Sequence, residues 1–409
     1  MRLDALLGLG LIPALLCVGC GGASSDSVLP TPTLGVAQSI VPGATLPTEY
    51  TTVAGPSNNN LDVVRHEGAV YLALRTSRDH FASDASRMLV LRSVDEQTWT
   101  FEAMFSTGTD VREPRLLSHK GRLFLFYAKL GTDPGKFEPQ GMFLSERKGE
   151  RDWTTPTTFY APTENFIPWR AKVRDGRAWL IAYRGGEHIY DLSGLPIDVQ
   201  LLVSDDGATW APFDAQHPTV QSGGGSETDF DFDSKGDLYA VVRNEAGDAT
   251  GWGSKICTAK RGALADWRCA HDPKKYDSPL VFRRGEGAHE RILLIGRRNV
   301  TDTGNYEQNP GAPWSVIETL SNLAKYSLAP KRCALWQVDR ATLSVRFVLD
   351  LPGQGDTCFA SVLADESNPN RLIVYNYSSP VDGDPSIDWA TGQMGETRIY
   401  RVTLDFATE

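Results

Sequence analysis

The chain brackets one strand-turn-strand unit with two groups suited to sugar chemistry. Glu227 stands in Gly225-Ser226-Glu227-Thr228-Asp229-Phe230-Asp231-Phe232-Asp233, and Arg243 ends the run that begins at Gly236. A carboxyl group beside a second carboxylate is the minimal kit for acid–base cleavage of a glycosidic bond. Arginine grips a carboxylate or a sugar hydroxyl through its planar fork. The same residue types recur where other apolar runs begin or end. Asp62, Asp110, Arg112, Glu113, Arg170, Asp229, Asp277 and Asp356 stand at starts, and Arg75, Arg184, Arg298 and Tyr377 at ends.

Those positions gain meaning from a repeat. Trp99, Trp153, Trp210 and Trp267 recur at nearly constant spacing, each closing a strand-like segment. In phase with them come turn-plus-apolar runs from Gly68 to Arg75, Gly121 to Lys129, Gly176 to Arg184 and Gly236 to Arg243. Two further copies, Glu290 to Arg298 and Asn370 to Tyr377, lack the glycine. Six units, each needing about four short strands, predict an all-β fold: a six-bladed β-propeller of four-stranded antiparallel blades over residues 51–409. The ring would bring the charged strand ends to one channel mouth. Residues 301–330 read as an insertion in the fifth unit, with one short helix near Val316 to Tyr326.

The first residues read as a processing signal. Arg2 precedes an apolar run from Ala5 to Val18, too short to span a bilayer. Leu16-Cys17-Val18-Gly19-Cys20 resembles the bacterial lipobox, which implies a signal peptide over 1–19, acylation at Cys20 and a lipid bilayer as partner. Residues 20–50, rich in Ser, Pro, Thr and Gly, are expected to form a flexible linker. The protein is then exported and held at the cell envelope, at an outer membrane or the cell surface. The remaining cysteines, Cys257, Cys269, Cys333 and Cys358, suit two disulfides, and local pairing is the simplest of three connectivities. A net charge of −10 argues against nucleic acid. No spacing suggests a metal or cofactor. Asp229, Asp231 and Asp233 alternate along a strand instead of wrapping a loop, so a carboxylate ladder is favoured over a calcium site.

Asp205-Asp206-Gly207-Ala208-Thr209-Trp210 resembles the Asp-box of sialidases, with a degenerate copy ending at Trp99. The resemblance covers roughly residues 55 to 406. It implies that Glu227 matches the glutamate partnering the family's tyrosine nucleophile, and that Arg243 matches an arginine binding the substrate carboxylate. The family's acid falls on Asp79 or Asp84, and its third arginine on Arg297 or Arg298. Asp110-Val111-Arg112-Glu113-Pro114 also resembles an Arg-Asp-Pro segment of five-bladed glycoside hydrolases, which makes Asp110 a further candidate. The chain departs from sialidases twice. Asn58-Asn59-Asn60 stands where the first arginine is expected, and no tyrosine opens the sixth unit at Asp356-Thr357-Cys358-Phe359. Two functions follow: an anchored hydrolase acting on a polar glycan, neutral or anionic, with Arg75, Arg112, Arg170, Arg184, Arg243 and Arg298 as binding residues, or a non-catalytic propeller binding sugar or protein.

Overall fold

Three hairpins show how the sequence sets the architecture. Glu67-Gly68, Lys120-Gly121 and Asp175-Gly176 all take left-handed backbone angles at both positions. That is the two-residue turn whose twist matches flanking antiparallel strands. A Cβ added at any of these glycines would meet nothing, so the dihedral alone selects glycine. In the computed structural model, which describes residues 26–43 and 45–408, such hairpins build six antiparallel sheets. The inner strands, from blade 1 to blade 6, are Ser57–His66, Asp110–His119, Ile167–Arg174, Thr228–Phe232, Asp277–Arg284 and Ser361–Ala364. The fold is a six-bladed β-propeller, as the repeat predicts.

Three of the periodic tryptophans lock their blades onto the ones before them. Trp210 of blade 3 meets Phe126 of blade 2 edge-on at 5.6 Å, and Trp153 of blade 2 meets Phe105 of blade 1 at 6.0 Å. Trp99 of blade 1 meets Tyr375 of blade 6 at 6.1 Å, carrying the contact across the ring closure. The turns feeding these rings are capped by their own aspartates. Asp206 Oδ1 accepts the amides of Ala208 and Thr209, and Asp95 Oδ1 those of Gln97 and Thr98. Hydrogen bonds from the Thr209 and Ala208 amides hold the Asp206 carboxyl well below the usual range.

The disulfides pair locally. Cys257–Cys269 joins neighbouring strands of blade 4, and Cys333–Cys358 ties blade 5 to the segment entering blade 6. The insertion carries one helix, Val316–Ser327, capped by Ser315. Among the described residues no helix is long and apolar enough to cross a membrane.

The expected linker ends much earlier than residue 50. Thr33–Leu34 and Gln38–Val41 are outer strands of blade 6, both paired with Arg398–Asp405. Ahead of them Leu29 is buried in an apolar cluster with Leu293 and Leu404. Ser, Pro and Thr do not prevent this, because short edge strands are held by backbone pairing. Cys20 and the signal peptide lie outside the described residues.

Candidate functional site

The inner strands break register where they reach the mouth. Pairing slips between Asn59 and Leu61 in blade 1, between Arg112 and Arg115 in blade 2, and between Asp277 and Leu280 in blade 5. The skipped residues Asn60, Glu113 and Ser278 take φ of 45°, 56° and 51°. A bulge re-aims a side chain, and non-glycine residues in this region cluster where function holds them. All three line one cavity of about 300 Å³, within the range of small-ligand sites. Every blade contributes to it: His80 from blade 1, Arg112 from blade 2, Tyr190 from blade 3, Glu227 and Arg243 from blade 4, Arg297 from blade 5, Tyr377 and Trp389 from blade 6.

Glu227 is the top rung of a ladder between blades 4 and 5. Its Oε2 accepts the Ser278 amide at 2.8 Å, while Asp229 and Asp231 below accept the amides of Val281 and Arg283. Alternation puts all three carboxylates on one side of the strand. The acidic run is thus inter-blade mortar. Glu227 Oε1 pairs with Arg243 Nη1 at 2.9 Å, and Glu245 shares that nitrogen at 3.1 Å. Burial pushes the Glu227 carboxyl up to about 7, aided by Asp277 and Glu113 and opposed by Arg243. Asp277 behaves oppositely: burial works against its charge, yet Lys275, Arg297 and Arg243 hold it down to about 2. Two neighbouring carboxyls with values driven apart are a pattern of acid–base sites.

Glu113 offers the second carboxylate of the cavity. Its Oε1 accepts from Asn60 Nδ2 at 2.9 Å, while Oε2 is buried without a hydrogen-bond partner. His80 adds a third group. Its Nδ1 lies 2.7 Å from Asp356 Oδ2, and Asp356 Oδ1 accepts from Tyr377 Oη at 3.0 Å and Trp389 Nε1 at 3.2 Å. Burial opposes the charge on Asp356, but His80 and Arg297 keep its carboxyl below the usual range. An ionised carboxylate can only accept, so Nδ1 carries the proton and donates. Nε2 is then the ring nitrogen left for a ligand.

Below the cavity the channel is closed by stacked cations and rings. Arg115 lies 4.8 Å from the Trp169 ring and 4.5 Å from that of Phe359. Burial and the neighbouring Arg170 push the Arg115 guanidinium down to about 9.

The structure brings together Glu227, Arg243, Arg112, Glu113 and Tyr377 and places Asp79, Asp84, Asp110, Arg75, Arg170, Arg184 and Arg298 outside the cavity. Asp79 caps the Phe81 amide and pairs with Arg78, and with Asp84 it lines a separate surface depression. The acid role expected there has no support in the geometry; His80, beside Asp79, is the titratable side chain of that loop in the cavity, next to Phe81 and Ala82. Asp110 is sealed between Arg75 and Arg112 and acts as their support. Arg75, fully buried, holds the carbonyls of Asp79 and Phe81 and so fixes the His80 loop. Arg170 belongs to the floor, donating to Ala360 O at 3.0 Å beside Asp229. Arg184 faces outward, paired with Glu164 and Asp198. Arg298 makes a fork on Asp350 at 2.8 and 2.7 Å on the opposite side of its strand from the cavity. Its neighbour Arg297 points in, bonding Asp277 at 2.9 Å and Tyr377 at 3.3 Å. Sequence reasoning gave no role to His80 and Asn60, although both lie in segments it singled out.

No family model and no curated protein matches the chain. Solved structures match in fold. A protein of unknown function from Dyadobacter fermentans DSM 18053 is 16% identical, with TM-score 0.56, over 86% of this chain and 95% of that one. Trypanosoma rangeli sialidase in complex with sialic acid is 12% identical, with TM-score 0.54, over 85% of this chain and 54% of the sialidase. Penicillium chrysogenum α-L-arabinanase complexed with arabinobiose is 14% identical, with TM-score 0.51, over 90% of this chain and 98% of that one. The chain therefore shares its fold with these structures and spans about half the length of the sialidase.

Proposed function

We propose that the chain is an exported, lipid-anchored propeller that hydrolyses a glycosidic bond at its six-blade cavity. One observation carries the reading: a carboxyl poised near 7, Glu227, shares the cavity with Glu113, whose Oε2 accepts no hydrogen bond and lies 3.7 Å from Arg115 Nη2. The protonated fraction of Glu227 at neutral pH passes its proton to the leaving oxygen. Glu113 faces the positive charge that develops on the sugar ring. His80, held by Asp356 as the Nδ1–H tautomer, takes a proton from water or a hydroxyl through Nε2. Acylation at Cys20 keeps the body at a bilayer, and the Asp205–Trp210 turn is read as an Asp-box.

The substrate is a neutral polar glycan in preference to a sialoside. Arg243 is neutralised by Glu245 and Arg297 by Asp277, and Tyr377 bonds Asp356 and Arg297 instead of Glu227. A screen of chromogenic pentosides, hexosides and sialosides tests this. Turnover of a neutral glycoside, reduced about 100-fold or more by Glu227→Gln, supports it; turnover unchanged by that variant sinks the acid role. The second reading is a non-catalytic sugar-binding propeller, favoured by the missing Tyr–Glu pair. Calorimetric binding of a glycan without release of product would select it.

A further inference from the structure

The first described residues fix which way the propeller faces. Asp26 forms a two-oxygen ion pair with Arg340, 2.8 Å from Nη2 and 3.0 Å from Nε. Gln337 then clasps the next turn of chain, donating to Ser27 O and accepting from the Leu29 amide, each at 2.8 Å. Ser27 Oγ also bonds Arg291. Arg340 and Arg291 belong to blade 5 turns at the end of the strands opposite the cavity. The strand Arg291–Asn299 measures the separation. Arg291 holds Ser27 and Arg297 lines the cavity, a run of about 20 Å at about 3.3 Å per residue.

From Cys20 to Asp26 the chain can reach only about 20 Å, even fully extended. A linker running to residue 50 would have reached about 100 Å and allowed any orientation. The short tether leaves from the far rim; its whole reach is used up at the level of Arg297, and Asn299 and the insertion beyond it stand farther out still, so the mouth does not swing down to the same bilayer.

We propose that the propeller sits on the lipid surface with its blade 5 turns, near Arg340 and Glu286, facing the bilayer, and with its cavity opening away from it. This rests on the acylation of Cys20 proposed above. The cavity then takes glycans presented from the side opposite the anchoring membrane, and the headgroups of that membrane are out of its reach. The rival arrangement is mouth-down insertion through the exposed apolar side chains Ile317 and Leu320 on the helix of the insertion.

The test uses the full-length acylated protein in liposomes whose headgroups carry a nitroxide quencher. Its four cysteines outside the leader and Cys20 are paired, so one new thiol carries one fluorophore. Glu286→Cys labels the expected membrane side, and Met394→Cys labels the mouth, where Met394 is 65% exposed. The label at 286 is expected to be quenched several-fold more than that at 394. Inserting a long Gly-Ser linker between residues 25 and 26 should erase the difference. Equal quenching without that insertion, or stronger quenching at 394, overturns the orientation. Mass spectrometry of the N-terminal peptide separates the two failures: lipid on Cys20 with equal quenching sinks the orientation alone, and a peptide without lipid sinks the anchor and the orientation with it.

Discussion

At the cavity end, the inner strands of blades 1, 2 and 5 lose register at Asn60, Glu113 and Ser278 and bury charged side chains there. At the other end, blades 1 to 3 turn in regular two-residue hairpins, and Asp95 and Asp206 satisfy their own turns within the chain. The far-end turns are satisfied by their own aspartates, while at the mouth Arg75 reaches Asp110 and His80 reaches Asp356 across blade boundaries. Left-handed angles fall in turns at the far end, but at the mouth they fall inside inner strands, beside a Glu113 Oε2 that accepts no hydrogen bond. The lower half supplies stability and the upper half spends some of it.

Four experiments break or sharpen that contrast. Trp210→Ala removes an inter-blade anchor far from the cavity and should destabilise the protein by about 3–5 kcal/mol, read by denaturant unfolding, with ligand affinity kept in the folded fraction. Reducing the two disulfides, which close loops of 12 and 25 residues, should remove about 3 kcal/mol each and lower Tm. Glu227→Gln probes the mouth by pH. Because the folded-state value of about 7 lies above the unfolded one, wild type should lose stability as pH rises from about 4.3 to 7, and the variant should lack that slope. Asp277 carries the opposite sign: its value of about 2 adds stability that disappears on acidification below the ordinary aspartate range. The smallest effect is Ser278→Gly. Relief of the left-handed angle should leave stability unchanged or raise it by up to about 1 kcal/mol, whereas glycine at the regular inner-strand position Leu117 should lower Tm clearly.

The sequence carries the lower half better than the upper. Tryptophan spacing and Gly-turn signals are local, so they announce six blades before any pairing is known. Glu227 and Arg243 were legible for the same reason, since one hairpin holds both. The choice between Arg297 and Arg298 depends on which face of a strand meets the channel, and a one-residue change in register reverses it. Asp79 and His80 are neighbours in a loop whose path is set by Arg75 and Asp110, partners from two different blades. The segment 26–50 misled because its composition suits a tether, while its strands are held by backbone bonds to Arg398–Asp405 that composition does not encode.

That last pairing also sets a timetable. Blade 6 takes its outer strands from residues that emerge first and its third strand from residues that emerge last. A chain leaving a ribosome has five blades' worth of sequence in hand and still cannot shut the ring. Until the final segment arrives, the partnerless edge at Gln38–Val41 is exposed to proteases and to other nascent chains.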